Sequence, residues 1–376
     1  MGETINSSIK FKNDLIDYNR SIIQNASLLE FDAVYNESDT IDKIYSSHVS
    51  SKISNLFHGT SACIIAFGCK NSGKSYLFRG GNEKEGESGI FSKSMTDILT
   101  LLSLAKQATL SNGEFKVKMA SYQIYNEQID DLLCKDKQRN KLFIEKYYED
   151  NKTKTVIKNL TKVDIRNQRD VDNCVKEIMH QRKKITTMLN INELKRKSFF
   201  IISIYITKCT TITDDDYKRC ELYDDNYSMI DFVEMPSSDY GLNGNKENLN
   251  AMEDKIIAAN IEKNFNSLSN AIVSAKEGIS PKNETILTLA LKNSVCKESS
   301  VLFITCLIPD DRQIGESFKA AKFANWLRNR IENVKENKEY NECNINSQQV
   351  NPSKKDIKKR EEYNSDDENL SIEMVD

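Results

Sequence analysis

Apolar positions along this chain fall into a few dense runs set among long polar stretches. Ala62-Cys-Ile-Ile-Ala-Phe67 is unbroken and stops at a glycine, the pattern of a strand buried on both faces. Val117–Ile124, Phe199–Ile206 and Tyr227–Phe232 read as further core strands. Arg169–Thr187 instead repeats apolar residues at Val171, Cys174, Val175 and Ile178, a spacing that predicts a helix with one face on the core. Strands alternating with helical stretches predict an α/β fold, a sheet covered by helices on both faces. Thr213-Asp-Asp-Asp-Tyr217 predicts a solvated hairpin tip. From Glu332 the alternation stops, and Glu336–Asp376 is dominated by Lys, Glu, Asn, Asp and Ser. That change predicts one folded domain over residues 1–331 and a disordered charged tail over 332–376.

The first run leads into Gly68-Cys69-Lys70-Asn71-Ser72-Gly73-Lys74-Ser75, a complete G-x-x-x-x-G-K-[ST] sequence. A strand that ends in a glycine-rich turn and enters a helix aims successive backbone N–H groups at a polyphosphate. In such loops the lysine, here Lys74, reaches the β- and γ-phosphates, and the hydroxyl, here Ser75, holds Mg²⁺.

Composition narrows the setting. A chain of 376 residues with 39% hydrophobic content can bury one large core, and no second folded domain is required. Nine cysteines without a C-x-x-C pair and three histidines argue against a zinc site. Cys63, Cys209 and Cys306 read as small core residues in a reducing compartment. The sequence has neither an apolar run long enough to span a bilayer nor a secretory pattern at its start, and Asn6 stands where myristoylation wants Ser or Thr. The expectation is a soluble intracellular protein that binds no membrane. Arg182-Lys183-Lys184 and Lys195-Arg196-Lys197 are basic, but with a net charge of −3 and no interleaved aromatics they read as a solvated face and predict no nucleic-acid binding.

Several segments share one resemblance. Phe31-Asp32-Ala-Val-Tyr35 precedes the loop, and Ser121-Tyr-Gln-Ile-Tyr-Asn126-Glu127-Gln-Ile-Asp-Asp-Leu132-Leu133 follows it. In order, they resemble the F-x-F-D-x-V-F and S-Y-x-E-I-Y-N-E-x-I-x-D-L-L segments of a kinesin motor domain. Asn260–Leu268, Pro281–Ser294, Val301–Leu307 and Glu316–Arg330 resemble its later elements in the same order. The resemblance implies a P-loop NTPase with a mixed, mostly parallel central sheet, ATP and Mg²⁺ as ligands, microtubules as track, and a place in the cytoplasm on microtubules or spindle.

It also implies two nucleotide switches. Asn192-Glu-Leu-Lys195-Arg196-Lys197-Ser198-Phe199 stands where the family has N-E-x-S-S-R-S-H, leaving Ser198 as the surviving hydroxyl. Asp231-Phe-Val-Glu234-Met235-Pro236 stands where it has D-L-A-G-S-E. In this register Asp231 supports Mg²⁺ with Ser75, Glu234 replaces the γ-phosphate-sensing glycine and Pro236 replaces the salt-bridging glutamate. Proline offers neither charge nor N–H, so nucleotide binding is expected to survive while turnover slows, unless Glu234 pairs with Arg196 or Lys197. The alternative to an ATP-driven motor is therefore a hydrolysis-impaired regulatory subunit docked on microtubules or on another kinesin chain.

Both ends and the track side depart from the family. The N-terminal central strand has only Ile5–Asn13 as a candidate, without the R-x-R-P sequence that flanks adenine. In the Pro281 segment Asn283 and Ile286 replace basic residues, while Lys255, Lys263, Lys282 and Lys292 remain, so microtubule binding is expected to be weak. The tail has no a/d heptads, and Ser365-Asp-Asp-Glu368 is its candidate docking or phosphorylation segment.

Overall fold

Strand β3 (Ala62–Gly68) is buried at every position, as its unbroken apolar run requires. It belongs to a computed structural model that describes residues 8–11, 27–81, 87–108, 114–135, 141–149, 152–188, 197–209, 227–242, 252–279, 281, 284–308 and 313–350. β3 pairs in parallel with β10 (Tyr227–Glu234) and with β11 (Ser300–Cys306). β9 (Phe199–Cys209) runs antiparallel between β10 and β4 (Glu114–Tyr125), and β5 (Gln128–Asp131) and β8 (Val163–Asp164) run antiparallel to β4. The sheet is mixed as expected from the sequence, but it is not mostly parallel among the described residues: its parallel ladders are confined to the three strands around the phosphate loop. A two-residue turn, Asn126-Glu127, makes β4 and β5 a hairpin, which fixes them as antiparallel.

Helices cover both faces. On one lie α1 (Ile41–His48), α2 (Ser50–Leu56), α3 (Lys74–Arg79), α4 (Ile90–Ala108) and α5 (Gln168–Met188). Their apolar stripes close over even-numbered residues of β3, β9 and β10, including Ile64, Ile204 and Phe232, and over Val117 and Met119 of β4. α5 buries Val171, Cys174 and Ile178, the periodicity read from the sequence. The other face is aromatic. Phe67 packs against Phe265 of α7 (Met252–Glu277) and Phe323 of α9 (Ile314–Val350), with ring centroids 5.3 and 5.1 Å away. Even and odd residues of β3 thus serve opposite cores, as strand geometry dictates.

The N-terminal expectation changes. β1 (Ser8–Phe11) pairs with β2 (Ser27–Glu30) in a separate two-stranded sheet, and among the described residues it adds no strand beside β11 at the edge of the main sheet. β6 (Phe143–Glu149) and β7 (Lys152–Lys158) form another ribbon. At the other end, the chain divides into units of residues 1–328 and 329–376. α9 continues to Val350, past Glu332 where the composition changes. The 213–217 tip and the Ser365–Glu368 segment lie outside the described residues.

Candidate active site

The turn after β3 is built for close approach. Gly68 has φ 143°, and a Cβ there would meet the Cys306 carbonyl oxygen at 2.2 Å and Ser72 Oγ at 2.6 Å. Gly73, with φ 93°, turns the chain into α3, where Lys74 and Ser75 are the first two residues. Lys74 is buried, and its Nζ donates to the Gly68 and Cys69 carbonyls at 2.7 Å each. Burial pushes its pKa below the ordinary lysine range, opposed in part by the neighbouring Cys306 and Glu234.

Ser75 Oγ donates to Glu234 Oε1 at the end of β10. Glu234 is buried, and its Oε2 has no partner. Behind it Arg182 of α5 is 3% exposed, with its guanidinium carbon 4.0 Å from the centre of the Phe200 ring and its Nε unpartnered. Burial lowers the Arg182 pKa to about 10, and Glu234 is the counter-charge that opposes the fall. The chain then hugs the loop. Met235 N–H donates to the Ala66 carbonyl at 3.0 Å, Ser237 and Ser238 are buried, and Asp239 is an electrostatic neighbour of Lys74 and Cys69.

Asp231 has a different neighbourhood. It lies mid-strand, fully buried, and its two oxygens accept from Ser203 Oγ and Ser294 Oγ at 2.5 Å each. Residues three apart on a strand point to opposite faces, so Asp231 and Glu234 cannot both reach Ser75. The register read from the sequence, anchored on the identity of Asp231, therefore moves by three. Glu234-Met235-Pro236-Ser237-Ser238-Asp239 lies along the phosphate loop, with Pro236 at a middle position and not at that of the bridging glutamate. The missed signal was the spacing of acids: D-L-A-G-S-E carries acids five residues apart, as do Glu234 and Asp239, whereas a register starting at Asp231 puts proline at the second.

Of the first switch, residues 192–196 lie outside the described residues. Ser198 is buried with an unpartnered Oγ. Lys197 does not pair with Glu234; its Nζ is 2.5 Å from Asp254 Oδ1 on α7 and 5.3 Å from the centre of the Tyr240 ring.

A polyphosphate with Mg²⁺ fits these donors. Ser72 Oγ, Ser237 Oγ, Ser238 Oγ, Glu234 Oε2 and Arg182 Nε are buried polar atoms without partners. No cluster of three or more His, Cys, Asp or Glu is present among the described residues. Mg²⁺ does not need one, because it is commonly held by one or two carboxylates together with phosphate oxygens and water.

A family model of the kinesin motor domain matches residues 4–331. This chain belongs to the kinesin motor-domain family. It is 25% identical over 316 residues to the kinesin-like protein KIF27 of Rattus norvegicus, covering 82% of this chain and 22% of that protein. It is 23% identical over 330 residues to the kinesin-like protein KIN-5B of Arabidopsis thaliana, covering 84% and 29%. It thus spans about a quarter of the length of these relatives. The motor-domain structure of the Kar3-like kinesin from Ashbya gossypii superposes with a TM-score of 0.63 at 20% identity, covering 85% of this chain and 89% of that one.

On the face where kinesins carry basic residues, Lys255 and Lys263 of α7 are exposed. Lys292 is engaged with Glu284 at 2.9 Å, and Glu284 also holds Lys146 of β6. Ile286 opens α8 (Ile286–Ala290), while Lys282 and Asn283 lie outside the described residues. No described helix is long and apolar enough to cross a membrane.

Proposed function

We propose that this motor domain binds ATP with Mg²⁺ at residues 68–75 and couples slow hydrolysis to microtubule association. The observation that carries the proposal is the bond between Ser75 and Glu234, which joins the loop hydroxyl to a carboxylate at the end of β10. When bound, Mg²⁺ would supply positive charge against the negative charge developing on the terminal phosphate group. Ser75 and Glu234 are the residues to hold it. Lys74 exchanges its two loop carbonyls for phosphate oxygens, a charge-assisted pairing stronger than the neutral one it leaves. Arg182 keeps the Glu234 carboxylate compensated in a buried site.

Turnover is expected to be slow because the closing bridge of the switches has changed. Lys197 stands at the position of the family's arginine and is paired with Asp254 on α7, and a lysine cannot make the planar bidentate contact that an arginine makes with a carboxylate. Losing one preorganised contact of this kind commonly costs about 10²-fold in rate. The same observation favours the second reading, a nucleotide-binding regulator on microtubules or on another kinesin chain.

Steady-state ATP turnover with and without microtubules, with Lys74→Ala as the blank, tests the proposal. Slow basal turnover stimulated by microtubules and lost in the variant is the expected result. Nucleotide binding with turnover at the level of the blank would put the regulatory reading first. Absence of nucleotide binding would overturn both.

A further inference from the structure

Ser237 and Ser238 are 2% and 1% exposed, and neither hydroxyl has a partner. Ser237 sits at the entrance of α6 (Ser238–Gly241) with φ −61° and ψ 131°, a backbone suited to capping, yet its side chain makes no cap bond. A buried hydroxyl left unpaired is destabilising, and here two occur in adjacent positions. Their flanks place them. On one side Glu234 is bonded to Ser75 and Met235 to Ala66; on the other, Asp239 is an electrostatic neighbour of Lys74. The segment between thus starts at the residue bonded to Ser75 and ends at an electrostatic neighbour of Lys74, and Lys74 and Ser75 mark the β,γ end of a nucleotide and its cation.

We propose that the Ser237 hydroxyl donates a hydrogen bond to the terminal phosphate of a bound nucleoside triphosphate, with Ser238 as a second donor. This rests on the nucleotide-binding reading of residues 68–75. In the register fixed by Glu234, Ser237 stands where the family motif has glycine, which offers a backbone amide and no side chain. Lys195 and Arg196 stand where that motif has two hydroxyls in the first switch. The second switch therefore supplies hydroxyls that the first has lost, and the site distinguishes triphosphate from diphosphate through a side chain. The hydroxyl neutralises no charge, so it acts through geometry, at the one phosphate that hydrolysis removes.

The test compares affinities of wild type, Ser237→Ala and Ser238→Ala for Mg-ADP and for the Mg²⁺ complex of a non-hydrolysable β,γ-imido ATP analogue, with Lys74→Ala as the blank. Loss of one hydrogen bond to a charged acceptor predicts about a tenfold weaker triphosphate affinity in Ser237→Ala, with diphosphate affinity unchanged within about twofold. The melting temperature of the nucleotide-free variant should stay level or rise, because an unpaired buried hydroxyl has been removed. Equal losses for both nucleotides, or no loss for either, would overturn the proposal while leaving the nucleotide site in place. A wild type that binds neither nucleotide better than Lys74→Ala would overturn the underlying reading as well.

Discussion

Ser75 Oγ donates to Glu234 Oε1, tying the first turn of α3 to the end of β10. The two residues are far apart in sequence, and β3 and β10 lie side by side in a parallel ladder that brings both strand ends to the same edge. Ligand sites of open α/β sheets lie at this carboxyl edge, so the bond marks the working end of the sheet.

Substitution of Glu234 separates its charge from its hydrogen bond. Glu234→Gln retains an acceptor for Ser75 and removes the negative charge, so it should weaken the Mg²⁺ dependence of nucleotide binding by about tenfold and, by leaving Arg182 buried without its counter-charge, cost about 3 kcal/mol of stability. Glu234→Ala removes the same charge and the acceptor for Ser75 as well, and should cost about 1 kcal/mol more stability than Glu234→Gln. Titration of Mg²⁺ at fixed nucleotide, with urea unfolding of each variant, checks both. Equal behaviour of the two variants would contradict the assignment.

Asp231 predicts a pH dependence. Burial raises its pKa from 3.8 to about 6, although two serine hydroxyls favour the ionised form. The folded chain therefore holds this proton more tightly than the unfolded chain. Its stabilising contribution is full below pH 3.8 and is lost as the pH rises through 6, a change of about 3 kcal/mol. Asp231→Asn keeps side-chain partners for Ser203 and Ser294 and carries no charge. It should be more stable than wild type at pH 7.5 and close to it at pH 4, as measured by urea unfolding at both pH values. A wild-type advantage at pH 7.5 would refute this.

The contrast between Asp231 and Glu234 shows which parts of the site were legible. Residues 68–75 were readable because fixed residue types at fixed spacing follow a strand whose burial is written in its composition. The second switch was misplaced because β10 is apolar on both faces, so its sequence does not show which side of the sheet a polar residue serves. Asp231 and Glu234 are both acids in a mostly apolar strand; the pairing of β10 with β3 and β9 separates them, and in the sequence only the five-residue spacing from Glu234 to Asp239 does. Lys197 illustrates a different limit. Its partner Asp254 lies far along the chain, and the sequence between them does not show which residue of α7 will meet the switch.

The aromatic cluster below the loop predicts a stability cost independent of the nucleotide. Phe265 is 1% exposed and lies 5.3 Å from Phe67 and 6.1 Å from both Phe199 and Phe323, measured between ring centroids. Phe265→Ala should lose about 3–5 kcal/mol, through lost burial and a cavity that the three remaining rings cannot close. Phe265→Leu should lose appreciably less. Urea unfolding midpoints give the order, and equal losses would show that the cluster repacks.

Lys197 and Asp254 form the contact through which α7 reaches the first switch. Lys197 is only 10% exposed in its side chain and Asp254 33%, so solvent screens the pair incompletely. A double-mutant cycle of Lys197→Ala and Asp254→Ala in urea unfolding should give a coupling of about 1 kcal/mol, at the upper end for partly exposed pairs. The functional consequence is sharper than the stability. If α7 meets the microtubule, either single variant should lower microtubule stimulation of turnover, and the double variant should lower it no further, because one contact is being broken three times. Additive losses would mean that the residues act separately, and unchanged stimulation in all three would mean that the track signal reaches the nucleotide by another route.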